Sequence, residues 1–123
     1  MKRVVVTGGA GYIGSHVVVE LLQAGFDVHV LDNLCRGRRE AVERAAKLGG
    51  RDVPLHVVDL NDTEAVTTLI GELAPHAVLH VAAFKSVSES VAHPERYDLN
   101  NVQATQSLAT ALGATGVQRV VYA

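Results

Sequence analysis

Four glycines crowd the stretch "TGGAGYIGSH": Gly8, Gly9, Gly11 and Gly14. The apolar run "RVVV" precedes them and "VVVELL" follows, so they stand where a strand should give way to a helix. A helix N-terminus carries free backbone N–H groups and the positive end of the helix dipole, and a phosphate reaches it closely only where no Cβ intervenes. Gly8 suits the tight turn out of the strand, Gly11 the approach of a pyrophosphate, and Gly14 the pressing of helix against sheet. Gly9-x-Gly11-x-x-Gly14 also fits the shorter dinucleotide pattern, and the spacing leaves both assignments open.

A dinucleotide needs more than its phosphates held. Asp32, in "VLDNL" at the end of the second apolar run, can accept hydrogen bonds from both ribose hydroxyls of the adenosine half. Its charge would repel a 2′-phosphate, which favours NAD over NADP. Asn33 beside it offers an amide contact, although Asp-Asn is equally a pair that opens a turn. Asp59, in "VVDLND", could reach the adenine amino group or could simply lead into a helix. Lys85 follows a buried-type strand and could bring one positive charge to the cofactor; a solvated loop lysine would have the same sequence.

Groups for bond-making chemistry are scarce. The tyrosines are Tyr12, Tyr97 and Tyr122, and none is followed four residues later by lysine, so the Tyr-x-x-x-Lys arrangement of a tyrosine base is not in the sequence. Ser86, Ser88 and Ser90 alternate in a polar stretch with no evident base partner. His76 and His80 share one side of a strand but stand too far apart to hold one metal, and His16 falls inside a helix. With Cys35 the sole cysteine, no thiolate zinc cluster can form. No catalytic residue and no metal ligand is assigned.

These residues need elements to position them. "KRVVVT" (2–7), "FDVHVLD" (26–32), "DVPLHVVD" (52–59), "HAVLHVAA" (76–83) and "VQRVVYA" (117–123) read as strands too apolar to keep one wet face. Between them, Ile13, Val17, Val18, Leu21 and Leu22 form the apolar stripe of a helix over 12–24, ended by Gly25. "RREAVERAAKLG" reads as a charged surface helix. "NDTEAVTTLIGEL" reads as a helix opened by a capping box of Asn61 and Glu64, with Val66, Leu69, Ile70 and Leu73 inward, stopping before Pro75. A longer helix starts near Pro94 and carries Val102, Leu108 and Leu112. Strand and helix in alternation predict an α/β fold: a three-layer, doubly wound, Rossmann-type parallel sheet of five strands in the order 3-2-1-4-5.

At 123 residues and 48% hydrophobic content the chain amounts to one domain. Its 11 basic and 13 acidic residues are scattered, leaving no footprint for nucleic acid or an anionic membrane; the basic run "CRGRRE" reads as a solvated loop. One cysteine and no recognisable signal peptide point to a reducing, cytoplasmic setting.

The glycine stretch, "LDNL" and "VLHVAAFKSVSESVAHPERYDLNNVQAT" together resemble the UDP-glucose 4-epimerases, members of the extended short-chain dehydrogenase/reductase superfamily. The resemblance runs from Lys2 to the last residue. It implies NAD as cofactor, with Tyr12 and Ile13 offering backbone N–H groups to the pyrophosphate, and Asp32 and Asn33 holding the adenosine ribose. Asp59 and Leu60 would frame the adenine, Val81, Ala82 and Ala83 would line the cofactor channel, Lys85 would contact the nicotinamide-side ribose and phosphate, and Asn100 would help fix the nicotinamide end. Val81 stands where the family has phenylalanine, and Ala83 where it has glycine. The family interconverts UDP-hexoses at C4 through a 4-keto sugar, using a Tyr-x-x-x-Lys pair beyond strand five and a C-terminal part that binds the UDP-sugar. The resemblance therefore implies the NAD-binding portion of such an enzyme, ending inside strand five and inactive alone. The alternatives are a non-catalytic dinucleotide-binding module, stabilised by self-association through the strand-five edge, and a fragment of a related NAD-dependent nucleotide-sugar epimerase or dehydratase.

Overall fold

A computed structural model of the chain describes residues 1–35, 37–81 and 102–122. Five strands and four helices are found there: β1 (Arg3–Thr7), α1 (Tyr12–Gln23), β2 (Asp27–Asp32), α2 (Arg39–Gly49), β3 (Leu55–Val57), α3 (Thr63–Leu73), β4 (Ala77–His80), α4 (Ala104–Thr115) and β5 (Val120–Tyr122). All neighbouring strands are parallel and the order is β3-β2-β1-β4-β5, as the alternation predicts.

A parallel sheet must be covered on both faces, and the strand side chains divide accordingly. Val4 and Val6 of β1, with Val28 and Val30 of β2, pack beneath Val18 and Leu22 of α1 and Val42 and Ala45 of α2. Val5, Leu31 and Val78 point the other way, against Val66 and Ile70 of α3 and Leu108, Ala111 and Leu112 of α4. Val5, Val6, Val28, Val30 and Val78 are wholly buried, which places β1 and its two neighbours at the centre of the molecule. Arg3 ties this sheet to a helix end, its Nε donating to Asp27 Oδ2 at 2.8 Å and its Nη1 to the Leu73 carbonyl at 2.9 Å.

The structure trims or corrects several local expectations. β3 spans only 55–57 of the run 52–59, although the Pro54 carbonyl still accepts from Val30. Helix α3 is capped by Asp62, whose carboxylate accepts from the Ala65 N–H at 3.1 Å, and not by Asn61. Asn61 instead donates its backbone and side-chain N–H groups to Asp59 Oδ1. Ile13 is 50% exposed and Val102 49% exposed, so neither belongs to the core stripe read for its helix. Ile13 lies in the opening turn of α1, ahead of the point where the helix meets the sheet; Val102 lies in a wider π-type turn just before α4. The expected helix start near Pro94 lies outside the described residues. Gly25 follows the end of α1 with φ of +94°, as a helix stop requires. No described helix is long and apolar enough to cross a membrane.

Candidate dinucleotide site

Helix α1, which follows β1, covers one face of the sheet, and α4, which leads from β4, covers the other. Among the described elements, the helix after β1 and the helix between β4 and β5 thus cover opposite faces, and in an open parallel sheet a crevice opens where neighbouring connections switch faces. The glycine loop stands at its rim.

Gly8 makes the turn: its φ is +78° and its N–H donates to the Leu31 carbonyl of β2 at 2.8 Å. Gly14 answers to close packing, because a Cβ there would stand 2.0 Å from the Gly8 carbonyl oxygen. A Cβ on Gly9 would collide with the Val30 side chain at 2.6 Å. Gly11 differs. Its φ of −84° and ψ of 178° suit any residue, and a Cβ would meet nothing closer than the Gly8 oxygen at 3.4 Å. Among the described residues no close contact requires glycine at 11. No side chain caps α1, and its first turn holds no acid to compete with an anion. Tyr12 and Ile13, both exposed, sit in that turn.

Asp32 is 9% exposed at the end of β2. Its Oδ2 accepts from the Ala10 N–H at 3.1 Å and its Oδ1 from the Leu34 N–H at 2.7 Å. The turn and binding readings of Asp32 are thus compatible: each oxygen keeps a lone pair after its backbone bond. Leu34 is held at φ of +63°, a left-handed conformation costly for a non-glycine residue, which the Asp32 bond offsets. Asn33 is exposed and its Oδ1 accepts from the Cys35 N–H at 2.9 Å.

Asp59 is exposed beyond β3, with Oδ1 engaged by Asn61, whereas Leu60 is 7% exposed and packed in the core beside α3. Val81 follows β4 and is buried on the α1 side of the sheet. Ala82, Ala83, Lys85 and Asn100 lie outside the described residues, as do Ser86, Ser88 and Ser90.

Three contributors escape the sequence reading. Ala10 is gripped from two directions, by Asp32 at its N–H and by the Arg38 N–H at its carbonyl, 3.0 Å away. Gly37, inside the run taken as a solvated loop, rests so closely on Ala10 that a Cβ would come within 2.6 Å of its carbonyl carbon. Thr7 is fully buried, and its hydroxyl meets His80 Nδ1 at 2.8 Å and the Val81 N–H at 3.1 Å. A threonine directly after three consecutive valines and directly before the glycines was the available signal. Among the described residues no cluster of three or more metal-ligating side chains occurs.

Comparison with known proteins gives this geometry a context. The chain is 44% identical over 119 residues to the UDP-glucose 4-epimerase of Bacillus subtilis, covering 97% of itself and 35% of that protein. It is 42% identical over 120 residues to a UDP-glucose 4-epimerase of Klebsiella pneumoniae, of which it covers 86%. Its fold superposes on the UDP-glucose 4-epimerase of Stenotrophomonas maltophila, crystallised with NAD and formylated UDP-arabinopyranose, with a TM-score of 0.96 and 41% identity over 99% of this chain and 36% of that one. The chain thus spans about a third of the length of most curated relatives it matches. The sequence pattern of the NAD dependent epimerase/dehydratase family matches residues 4–123, and the chain belongs to that family.

Proposed function

We propose that this chain binds NAD across the ends of β1, β2 and β4, as the nucleotide-binding portion of a UDP-hexose 4-epimerase. The observation that carries the reading is the uncapped first turn of α1, left bare at Gly11, joined through Ala10 to the Asp32 carboxylate. The residues fit the cofactor. Backbone N–H groups of Tyr12 and Ile13 hold the pyrophosphate, Asp32 and Asn33 the adenosine ribose, and Asp59 with the backbone of Leu60 the adenine. Val81, Ala82 and Ala83 line the channel toward the nicotinamide end, where Lys85 and Asn100 complete the contacts.

When bound, NAD supplies a nicotinamide ring able to accept a hydride and return it. Epimerisation at C4 of a UDP-hexose further needs a base and a sugar site, and the sequence has no Tyr-x-x-x-Lys pair to serve as that base. The chain alone therefore holds the cofactor without turning over a sugar. A reducing, cytoplasmic setting agrees with its single cysteine, Cys35, which is exposed and free.

Calorimetric titration of the 123-residue chain with NAD and with NADP tests the binding. Saturable NAD binding with NADP weaker by tenfold or more supports the reading, and no binding of either overturns it. A second reading is self-association: β5 is an outer strand of the described sheet and Val121 on it is 55% exposed. Sedimentation of the chain and of Val121→Lys decides this, since an edge-paired dimer would be dispersed by the lysine.

A further inference from the structure

His80 is a histidine inside an apolar strand, only 5% exposed, and the cofactor contacts proposed above give it no role. Both of its ring nitrogens are engaged. Nδ1 meets the Thr7 hydroxyl at 2.8 Å, and Nε2 meets the Thr105 hydroxyl at 2.9 Å. Thr7 is the last residue of β1, directly before the glycine turn, and its carbonyl and hydroxyl both accept from the Val81 N–H, at 3.0 and 3.1 Å. Thr105 is in the first turn of α4. One imidazole thus joins three segments that converge on the switch point: the end of β1, the end of β4 and the start of α4. Such a network fixes the mutual placement of its members more firmly than apolar contact alone, because each bond is directional and those of Thr7 to His80 and Val81 are buried.

The geometry points to His80 as a positioning residue for the non-adenosine half of a bound dinucleotide, acting through Thr105 on α4 and through Thr7 on the exit of β4. The half-site assignment follows from topology. Asp32, which suits the adenosine ribose, stands on the β2 side of β1, while His80 and Val81 stand on the β4 side. A dinucleotide laid across the crevice places its other half there. This role rests on the dinucleotide reading above and adds to it that the two half-sites are held by separate frames, the Asp32–Ala10 bond for one and the His80–Thr105 bond for the other.

The test is titration of the chain with NAD and, separately, with ADP, in the unaltered form and in Thr105→Val, Thr105→Ser and His80→Leu. Thr105→Val keeps the shape of the side chain and removes its hydroxyl, so it disturbs packing less than His80→Leu, and a urea midpoint for each variant separates loss of fold from loss of positioning. The expected result is NAD binding weakened about tenfold, about 1.4 kcal/mol at 25 °C, in Thr105→Val. ADP binding should stay within about twofold, and Thr105→Ser should restore NAD affinity. Equal NAD affinity in Thr105→Val, an equal loss of NAD and ADP, or no rescue by serine overturns the positioning role and leaves the NAD reading standing. An unaltered chain that binds ADP as tightly as NAD also overturns the role, while one that binds neither overturns the dinucleotide reading as well.

Discussion

The Ala10 N–H donates to Asp32 Oδ2 at 3.1 Å, so the residue that ends β2 also fixes the glycine loop that follows β1. Two tasks fall on one carboxylate, and substitutions should separate them. Asp32→Asn keeps an oxygen acceptor and removes the charge, so NADP binding should improve relative to NAD by tenfold or more. Asp32→Ala removes both acceptors from nearly buried N–H groups and should cost about 1–3 kcal/mol of stability, read from urea unfolding, besides abolishing NAD binding.

Gly11 and Gly14 make a matched pair of opposite kind. Gly11→Ala should unfold within about 1 kcal/mol of the unaltered chain, since its Cβ meets nothing closer than 3.4 Å, and yet bind NAD at least tenfold more weakly if the proposed pyrophosphate site is right. Gly14→Ala should lower stability by more than about 2 kcal/mol, because backbone at Gly8 cannot yield to a Cβ 2.0 Å away. A thermal melt of each beside its NAD titration checks both.

Asp62, not Asn61, caps α3, and cap substitutions should rank accordingly. Asp62→Ala should cost about 1 kcal/mol, the usual loss for a side-chain N-cap, while Asn61→Ala should cost less than about half of that. Urea midpoints of the two variants decide the order.

His29 Nδ1 and His56 Nε2 lie 3.0 Å apart across β2 and β3, in rings inclined by 8°. A single N–H···N bond can join them only while one nitrogen stays unprotonated. Burial is the main cause that pulls both groups below the ordinary histidine value of 6.5; Asp27 opposes it at His29 and Glu72 at His56, while Arg3 reinforces it at His29. Unfolded histidines therefore take up protons before the folded pair does. The stability they contribute is fully present above about pH 6.5 and is lost as pH falls through the lower folded values. The urea midpoint should drop between pH 7 and 5, and a His29→Asn, His56→Gln double variant should flatten that drop.

Much of this was legible from residue types alone, for reasons that are local. Valine runs separated by helical stripes dictate a buried parallel sheet whatever the details of packing, and the glycines declare a turn before a helix. What stayed hidden depends on register between distant segments. Gly37 resting on Ala10, or Thr7 meeting His80, follows from where two strands stop relative to each other, which no local pattern encodes. The cap of α3 was misread by one residue because Asn61 and Asp62 are both good caps. The backbone there turns on Asp59, which claims both N–H groups of Asn61 and leaves Asp62 to the helix.

Thr7 and His80 are hydrogen-bonded although 73 positions separate them, and that separation has a consequence in time. During synthesis at about 5–20 residues per second, β1 leaves the ribosome roughly 4–15 seconds before β4 exists to flank it. Its three fully or almost fully buried valines spend that interval with one side unpaired. The centre of the finished molecule is thus among the first segments made and the last enclosed, and the newborn chain is exposed to mispairing at the strand that later carries the glycine loop.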